Sequence, residues 1–248
     1  MVDDLIQVRG EAFQIPQDKV LVGGYFYPKH IPNVDLPGKE RYVLVPTSKV
    51  GSQIDCDSII SLDQTDCSLD WISAHKAILP TGEIMPSVEQ FMRHYRNVND
   101  ARTGNVPLYN ASGDIVSERD LDAEYNTLNY SCWMMLNAHF LKGSGFNGLD
   151  LAMLVAFEDG KPVYQRKPLE ECVLENCYVE LDSLNEQGLP TRKSGVQELR
   201  RGENFYFWHP IKNCVARFRA SSGRVGLFCG TDPTNSDSVL GVRRAKNL

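Results

Sequence analysis

The chain has 248 residues, of which 42% are hydrophobic and 23% are charged, and its formal net charge is −6 at pH 7. These proportions predict an ordinary globular protein with one large domain or two small ones. The negative charge argues against nucleic acid and anionic membranes as partners, because both attract cationic proteins. The sequence has no apolar run of about 18 residues, and its acidic start, with Asp3 and Asp4, does not suit a signal peptide. We therefore expect synthesis in the cytoplasm and no membrane insertion.

The cysteines do not form a recognisable framework. They are Cys56, Cys67, Cys132, Cys172, Cys177, Cys214 and Cys229. An odd number with irregular spacing argues against a complete set of disulfides. No Cys-x-x-Cys pair is present, so a zinc site has no support. We interpret these residues as reduced, mostly buried thiols, and we expect neither a metal nor a cofactor.

The first third of the chain is typical of β-structure. Short β-rich runs lie at residues 20–22, 25–27 and 42–45 and are separated by prolines and glycines. We assign residues 1–75 to an N-terminal β segment. It is either separate from, or integrated with, a following domain of residues 76–248.

Two helices are predicted next. Apolar residues at 88, 91, 92 and 95 recur at helical spacing, and Ser87 suits the N-cap position. A second helix is predicted from about residue 117 through 141, ended by the Gly143-Ser144-Gly145 turn. Its buried stripe comprises Leu128, Cys132, Met135, Leu136 and Phe140.

The remainder of the chain is predicted to be mainly β. Residues 149–157 and 172–174 are typical of strands or packed core segments, and residues 182–194 of a polar linker. Further strands are predicted at 205–208, 215–220, 225–229 and 240–243. Strands at both ends with two helices between them predict an α+β fold whose terminal strands pair.

The segment 213–245 shows a strict alternation that predicts one packed face and one displayed face. The residues predicted to face the core are Ala216, Phe218, Ala220, Val225, Leu227 and Cys229. The residues predicted to face outward are Arg217, Arg219, Gly226, Phe228 and Gly230. The outward set has no common chemistry, which is unlike a catalytic or metal site.

Composition separates the same segment from the rest of the chain. Residues 213–245 contain no Lys, Glu, Gln, Met or Trp, although these five types make up about a sixth of the sequence. They are the types that cannot be reached from an asparagine codon when only its adenines are replaced. Arg, Ser, Gly, Phe, Thr, Asp, Val, Tyr and Cys can all be reached in this way.

The runs at 215–224, 229–233 and 240–245 together resemble the C-terminal variable region of proteins diversified by diversity-generating retroelements, in particular the archaeal and archaeal-virus members. In that family an error-prone reverse transcriptase copies a template repeat, scrambles its adenines and overwrites the end of the variable-protein gene. The resemblance covers about the last 40 residues. It implies a C-type lectin-like fold with two helices and a C-terminal antiparallel sheet. It also implies a non-enzymatic protein that binds a macromolecular ligand, a protein or surface glycan, and that is displayed on a virus particle or cell surface through a partner.

The resemblance also assigns residues. The positions it implies are exchanged, and therefore bind ligand, are Arg219, Ser222, Arg224, Gly226, Phe228, Gly230, Thr231, Thr234, Asn235, Asp237 and Val239. The positions it implies are constant scaffold are Val215, Ala216, Phe218, Leu227, Cys229, Pro233, Leu240, Gly241 and Val242. Arg217 fits either set. Outward residues can be exchanged at low cost, because most surface substitutions change stability by within about 0.5 kcal/mol.

Two other functions remain open at this point. The first is an enzyme of the formylglycine-generating type, in which Cys214 or Cys229 would act with His209 as the nearest acid or base. The second is a structural virion or tail domain with an ordinary C-terminus. The oxygens at Asp232, Asn235 and Asp237 suit a solvated turn better than a calcium site. The glycines at 143–148 lack the rest of a phosphate-binding motif.

Overall fold

In a computed structural model, the described residues are 36–45, 58–65 and 67–248, together with the strand backbone at 5–8, 11–14, 19–22, 25–28 and 47–48. Cys56 lies outside the described residues. The helices are α1 (Trp71–Ile78), α2 (Val88–Arg102) and α3 (Glu118–Tyr130). The strands are β1 (Leu5–Val8), β2 (Glu11–Gln14), β3 (Lys19–Val22), β4 (Tyr25–Pro28), β5 (Tyr42–Val45), β6 (Thr47–Ser48), β7 (Ser58–Ser61), β8 (Trp133–Lys142), β9 (Leu149–Glu158), β10 (Lys161–Pro168), β11 (Cys177–Glu180), β12 (Asn204–Trp208), β13 (Cys214–Ser221), β14 (Arg224–Thr231) and β15 (Ala245–Asn247).

The fold is α+β, as the sequence predicted, and a seven-stranded sheet is its largest element. The strand order is β10-β9-β8-β13-β14-β12-β11. Neighbouring strands are antiparallel except β12 and β14, which are parallel. The smaller sheets have the orders β15-β7-β5, β3-β4-β6 and β1-β2.

The early and late parts of the chain meet in the β15-β7-β5 sheet. Ala245 pairs with Ile60, and Ile60 pairs with Val43 on its other side. The last strand thus pairs with a strand of the N-terminal β segment, as predicted, although the first strand, β1, pairs with β2. Helix α1 spans residue 75, the position of the predicted domain boundary.

The predicted first helix corresponds to α2, and its start is a capping box. The Ser87 Oγ accepts a hydrogen bond from the Gln90 backbone N–H at 3.1 Å, and the Gln90 Oε1 accepts one from the Ser87 N–H at 3.0 Å. The helix continues beyond Tyr95, the last of the residues in the predicted pattern, to Arg102. Helix α3 begins as predicted after Ser117, whose side chain accepts from the Asp120 N–H.

The predicted continuation of the second helix to residue 141 is wrong. Helix α3 ends at Tyr130, and residues 133–142 form β8. Met134 and Leu136 pack on one face of this strand, while Met135 packs on the other. Because both faces are covered, apolar residues occur at almost every position and conceal the two-residue period of a strand. The Gly143 turn accordingly joins two strands instead of ending a helix.

Three further elements differ from the predictions. There are three described helices instead of two, because α1 begins after Asp70, which caps it by accepting from the Ser73 N–H at 2.8 Å. Residues 172–174 are irregular. Residues 240–243 form only isolated bridges, through Gly241 and Val242, and the strand lies later, at Ala245–Asn247.

The seven-stranded sheet has a core on each side. On the inner face, α2 and α3 cover β8 and β11–β14, and Phe218 lies against Phe91 and Tyr95 at centroid distances of 4.8 and 5.2 Å. On the outer face, α1 covers one part of the sheet through Trp71 and Val215. The rest of the outer face over β11–β14 carries half-buried and exposed side chains.

Candidate binding surface

The β13–β14 hairpin separates a packed side from a displayed side. All six residues predicted to face inward are 0% or 1% exposed: Ala216, Phe218, Ala220, Val225, Leu227 and Cys229. Between them, Arg217, Arg219 and Phe228 are half-buried on the outer face. Gly230, also predicted to face outward, is exposed, whereas Gly226 is buried. The predicted alternation is therefore confirmed except at Gly226.

The outer face carries a continuous row of aromatic and arginine side chains, here named the aromatic–arginine band. It crosses five neighbouring strands, from β8 through β13, β14 and β12 to β11. Its members are Trp133, Tyr178, Tyr206, Trp208, Arg217, Arg219, Arg224 and Phe228. Five strands about 4.8 Å apart make the band about 19 Å long.

In the first half of the band, guanidinium groups lie over ring faces. The Arg219 Cζ is 4.0 Å from the centroid of the Trp133 ring. The Arg217 Cζ is 5.1 Å from the Phe228 centroid and 5.8 Å from that of Trp133. These distances are within the range of cation–π attraction.

In the second half of the band, rings stack on each other. Phe228 and Trp208 are stacked, with centroids 3.6 Å apart and an interplanar angle of 17°. Tyr206 tilts against Trp208 at 4.2 Å, and Tyr178 meets Tyr206 edge-on at 5.1 Å. The Arg224 Cζ lies 4.8 Å from the Tyr206 centroid and 5.2 Å from that of Trp208. Such contacts fix large side chains in one arrangement before any ligand arrives.

The three arginines of the band form no ion pair within the described part of the chain. Arg217, Arg219 and Arg224 form neither an ion pair nor a side-chain hydrogen bond there. The Arg217 Nε is also buried without a hydrogen-bond acceptor. Burial, and next the nearby charge of Arg219, lower the pKa of Arg217, and the carboxylate of Asp237 opposes this shift. An arginine side chain is nevertheless protonated at neutral pH, so the group remains charged.

The eleven positions that the resemblance implies are exchanged fall into three groups. Arg219, Arg224 and Phe228 belong to the band. Ser222, Gly230, Thr234, Asp237 and Val239 are exposed, and Asn235 is half-buried. Gly226 and Thr231 are buried, and Thr231 is only 6% exposed. The structure thus leaves room for varied side chains at most of these positions and restricts them at two.

Gly226 faces the band but lies beneath it. A Cβ added there would be 2.7 Å from the Tyr206 carbonyl oxygen and 3.2 Å from ring atoms of both Phe228 and Trp208. A Cβ on Gly230 would meet only the side chain of Ile211, at 2.9 Å. A backbone atom cannot rotate away as a side chain can. We therefore expect a larger residue to be tolerated less well at Gly226 than at Gly230.

The positions implied to be scaffold are mostly inaccessible. Val215, Ala216, Phe218, Leu227, Cys229, Leu240, Gly241 and Val242 are buried, and Pro233 is half-buried. The ambiguous residue, Arg217, is half-buried and belongs to the band.

The loop after β14 is organised by its own polar side chains. The Asp232 carboxylate accepts hydrogen bonds from the N–H and the hydroxyl of Thr234, at 2.8 and 2.7 Å. The Asn235 Oδ1 accepts from the Asp237 N–H, and the Asp237 Oδ1 accepts from the Val239 N–H. These are turn-forming contacts. No group of three or more potential metal ligands occurs among the described residues.

The two thiols considered as nucleophiles are poorly suited to that role. Burial raises the pKa of Cys229 well above its ordinary value, and to a smaller extent the neighbouring Cys172 does so too. Burial, and next Asp232, raise the pKa of Cys214. Both groups are therefore protonated at neutral pH, whereas a nucleophilic cysteine requires the thiolate. The His209 Nδ1 is engaged with the Asn176 side-chain oxygen at 2.9 Å.

Sequence reasoning missed half of the band. Trp133, Tyr178, Tyr206 and Trp208 lie outside residues 213–245, and none was predicted to belong to the surface. A signal was present in β12, where Phe205 and Phe207 are buried while Tyr206 and Trp208, which alternate with them, are half-buried. Large aromatic side chains at outward-facing positions of a strand are a feature of binding surfaces.

A separate cleft of about 450 Å³ lies elsewhere on the protein. It is lined by both cationic and acidic residues, including Arg96, Arg200, Asp182 and Glu203, and by no residue of the band. Opposite charges therefore share its walls, and the cleft has no single electrostatic preference.

No helix among the described residues is both long and apolar enough to cross a membrane. Comparisons of the chain with protein-family models, with curated proteins and with solved structures found no match.

Proposed function

We propose that this chain is a non-enzymatic binding protein that uses the outer face of the β13–β14 hairpin and the following loop to recognise a macromolecular ligand. The surface is diversified by a retroelement that replaces adenines in the codons for about residues 213–245. The protein is presented on a virus particle or cell surface through a partner.

The main support for this proposal is that alternate residues of β13 and β14 point to opposite faces of the sheet, one packed and one open. Phe218 and Leu227 are 0% exposed, while Arg219 and Phe228 lie on the open side. The side chains of a surface can be exchanged without unfolding the protein only if those side chains do not form part of the core. The hairpin meets that condition at most of the implied positions.

We also propose that residues 76–248 have a C-type lectin-like fold. It is supported by the order of strands, helices and strands and by the pairing of β15 with β7. A third helix, α1, adds to the two that the resemblance implied.

The enzymatic alternative receives no support from the geometry. Cys214 and Cys229 have raised pKa values, and the nearest histidine in sequence, His209, is held by Asn176. The band offers rings and guanidinium groups that suit recognition. This is the composition of interface hot spots.

The gene neighbourhood provides a direct test. We expect a reverse-transcriptase gene and a near-copy of the codons for residues 213–245 within a few kilobases downstream. Adenines in that copy should coincide with the eleven positions from Arg219 to Val239. A neighbourhood without either element, or identical C-termini in related isolates, would contradict the proposal.

Matched substitution libraries provide a second test. Randomising Arg219, Arg224 and Phe228 is expected to leave most variants folded, because these side chains lie on the open face. Randomising Ala216 and Phe218 is expected to leave few folded variants. The fraction of soluble, protease-resistant clones measures both. Equal fractions would show that the outer face is not free to change.

A further inference from the structure

We propose that the aromatic–arginine band binds an acidic polypeptide segment, with Asp or Glu carboxylates paired to Arg217, Arg219 and Arg224. This inference rests on the proposed function and names the ligand chemistry of the same surface. It would apply to the sequence variant present here, since exchange of Arg219 or Arg224 would change the preference.

The charge of the band favours an acidic ligand. Within the described part of the chain, none of the three guanidinium groups forms an ion pair, although the protein as a whole carries a net charge of −6. The Asp237 carboxylate lies near enough to Arg217 to act on its pKa but does not form a salt bridge with it. Other arginines of this protein are paired; Arg192, for example, lies 2.6 Å from Glu180 and 3.0 Å from Asp182. A guanidinium presents a planar set of N–H donors that matches a carboxylate. Three unpaired cations close together therefore favour a ligand that supplies the missing anions.

The orientation of the rings disfavours a ligand that binds by stacking. Phe228 has Trp208 against it from β12 and Arg217 from β13, strands that lie on opposite sides of β14. Trp133 is covered by Arg219, and Tyr206 by Arg224. Sugars and nucleobases bind by stacking on open ring faces. Phe228, Trp133 and Tyr206 each already carry a guanidinium group or another ring on a face, so fewer open faces remain for such stacking.

The length of the band fits a short extended peptide. A band about 19 Å long corresponds to about six residues of extended polypeptide. Such a segment can bring two or three carboxylates to the arginines while its aliphatic groups contact the rings. The combination of Trp, Tyr, Phe and Arg is also the one enriched at protein–protein interfaces.

The test is selection of a displayed library of random dodecapeptides on the purified full-length protein, with heparin and polygalacturonate as polysaccharide probes. We expect the selected peptides to be enriched in Asp and Glu. Their affinity should fall between about 0.1 M and about 1 M salt, over which the screening length drops from about 10 Å to about 3 Å. Arg219→Gln and Arg224→Gln should each weaken binding by about tenfold, as expected for loss of a charge-assisted hydrogen bond. The matched control Arg192→Gln should have no effect.

Phe228→Ala separates failure of this inference from failure of the proposed function. Peptides that lose binding with Phe228→Ala, yet are not acidic and do not respond to salt, would overturn the acidic preference and leave a recognition surface in place. Polysaccharides that bind the band when peptides do not would likewise overturn it. If neither class of probe binds this face, both the inference and the proposed function fail.

Discussion

Replacing Glu124 with glutamine is expected to destabilise the protein by about 3–5 kcal/mol, because it leaves the charge of Arg243 buried without a counter-charge. Arg243 is 0% exposed and Glu124 is 4% exposed. The guanidinium donates to both carboxylate oxygens, at 2.5 and 2.9 Å, and to the Ser61 carbonyl at 3.1 Å. His94 adds a fourth contact, at 2.7 Å from the Glu124 Oε1.

The pKa values show how strongly these groups depend on each other. Burial acts to raise the pKa of Glu124, but Arg243 and His94 outweigh it, so the pKa lies below its ordinary value. Burial acts to lower the pKa of Arg243, and Glu124 outweighs that effect. Removing Glu124 therefore leaves the guanidinium of Arg243 charged in an apolar site, whereas removing Arg243 takes away the main effect that keeps the Glu124 pKa low.

Urea unfolding followed by tryptophan fluorescence measures the effect. A loss of about 3–5 kcal/mol corresponds to a fall in Tm of about 6–20 °C for a chain of this size. The matched control is Glu203→Gln, which alters an exposed pair with Arg200 at 3.9 Å and should cost less than about 1 kcal/mol. Glu124→Met combined with Arg243→Met should cost less than the sum of the two single changes. Equal effects of Glu124→Gln and Glu203→Gln would refute the reasoning.

Two further predictions concern Gly226 and His75. Gly226→Ala should destabilise the protein by about 1–3 kcal/mol, because the added Cβ would lie 2.7 Å from the Tyr206 carbonyl oxygen. The control Gly230→Ala should be nearly neutral, because the Ile211 side chain can rotate away. Equal unfolding midpoints of the two variants in urea would contradict this prediction. Burial lowers the pKa of His75 to about 3. As the pH falls below about 6.5, His75 is therefore protonated in the unfolded chain but still neutral in the folded protein. The free energy of unfolding should then fall by up to about 1.4 kcal/mol per pH unit between about pH 6.5 and about pH 3. His75→Phe should have a shallower acid slope, and an unchanged slope in acid unfolding would count against buried neutral His75.

The sequence was sufficient wherever a local rule decided the structure. The capping box at Ser87 and Gln90 starts α2 where predicted, because both hydrogen bonds are made within one turn. The alternation from Ala216 to Cys229 gave the buried side of β13 and β14, because successive side chains of a strand point to opposite faces.

The sequence was insufficient where two faces of one element are both buried. Residues 133–142 have the apolar content of a buried helix, but they form β8 because β9 and β13 pair with it on either side. Strand pairing involves residues distant in the chain, and a local period cannot report it when both faces are apolar.

Sequence alone determined that Arg219 and Phe228 would lie outward on neighbouring strands, since alternation is a local property of extended backbone. Only the tertiary structure decided what lies beside them. Trp133 reaches Arg219 through pairing of β8 with β13, and Trp208 reaches Phe228 through parallel pairing of β12 with β14. Strand order and register set these neighbours, and they depend on contacts across the whole chain.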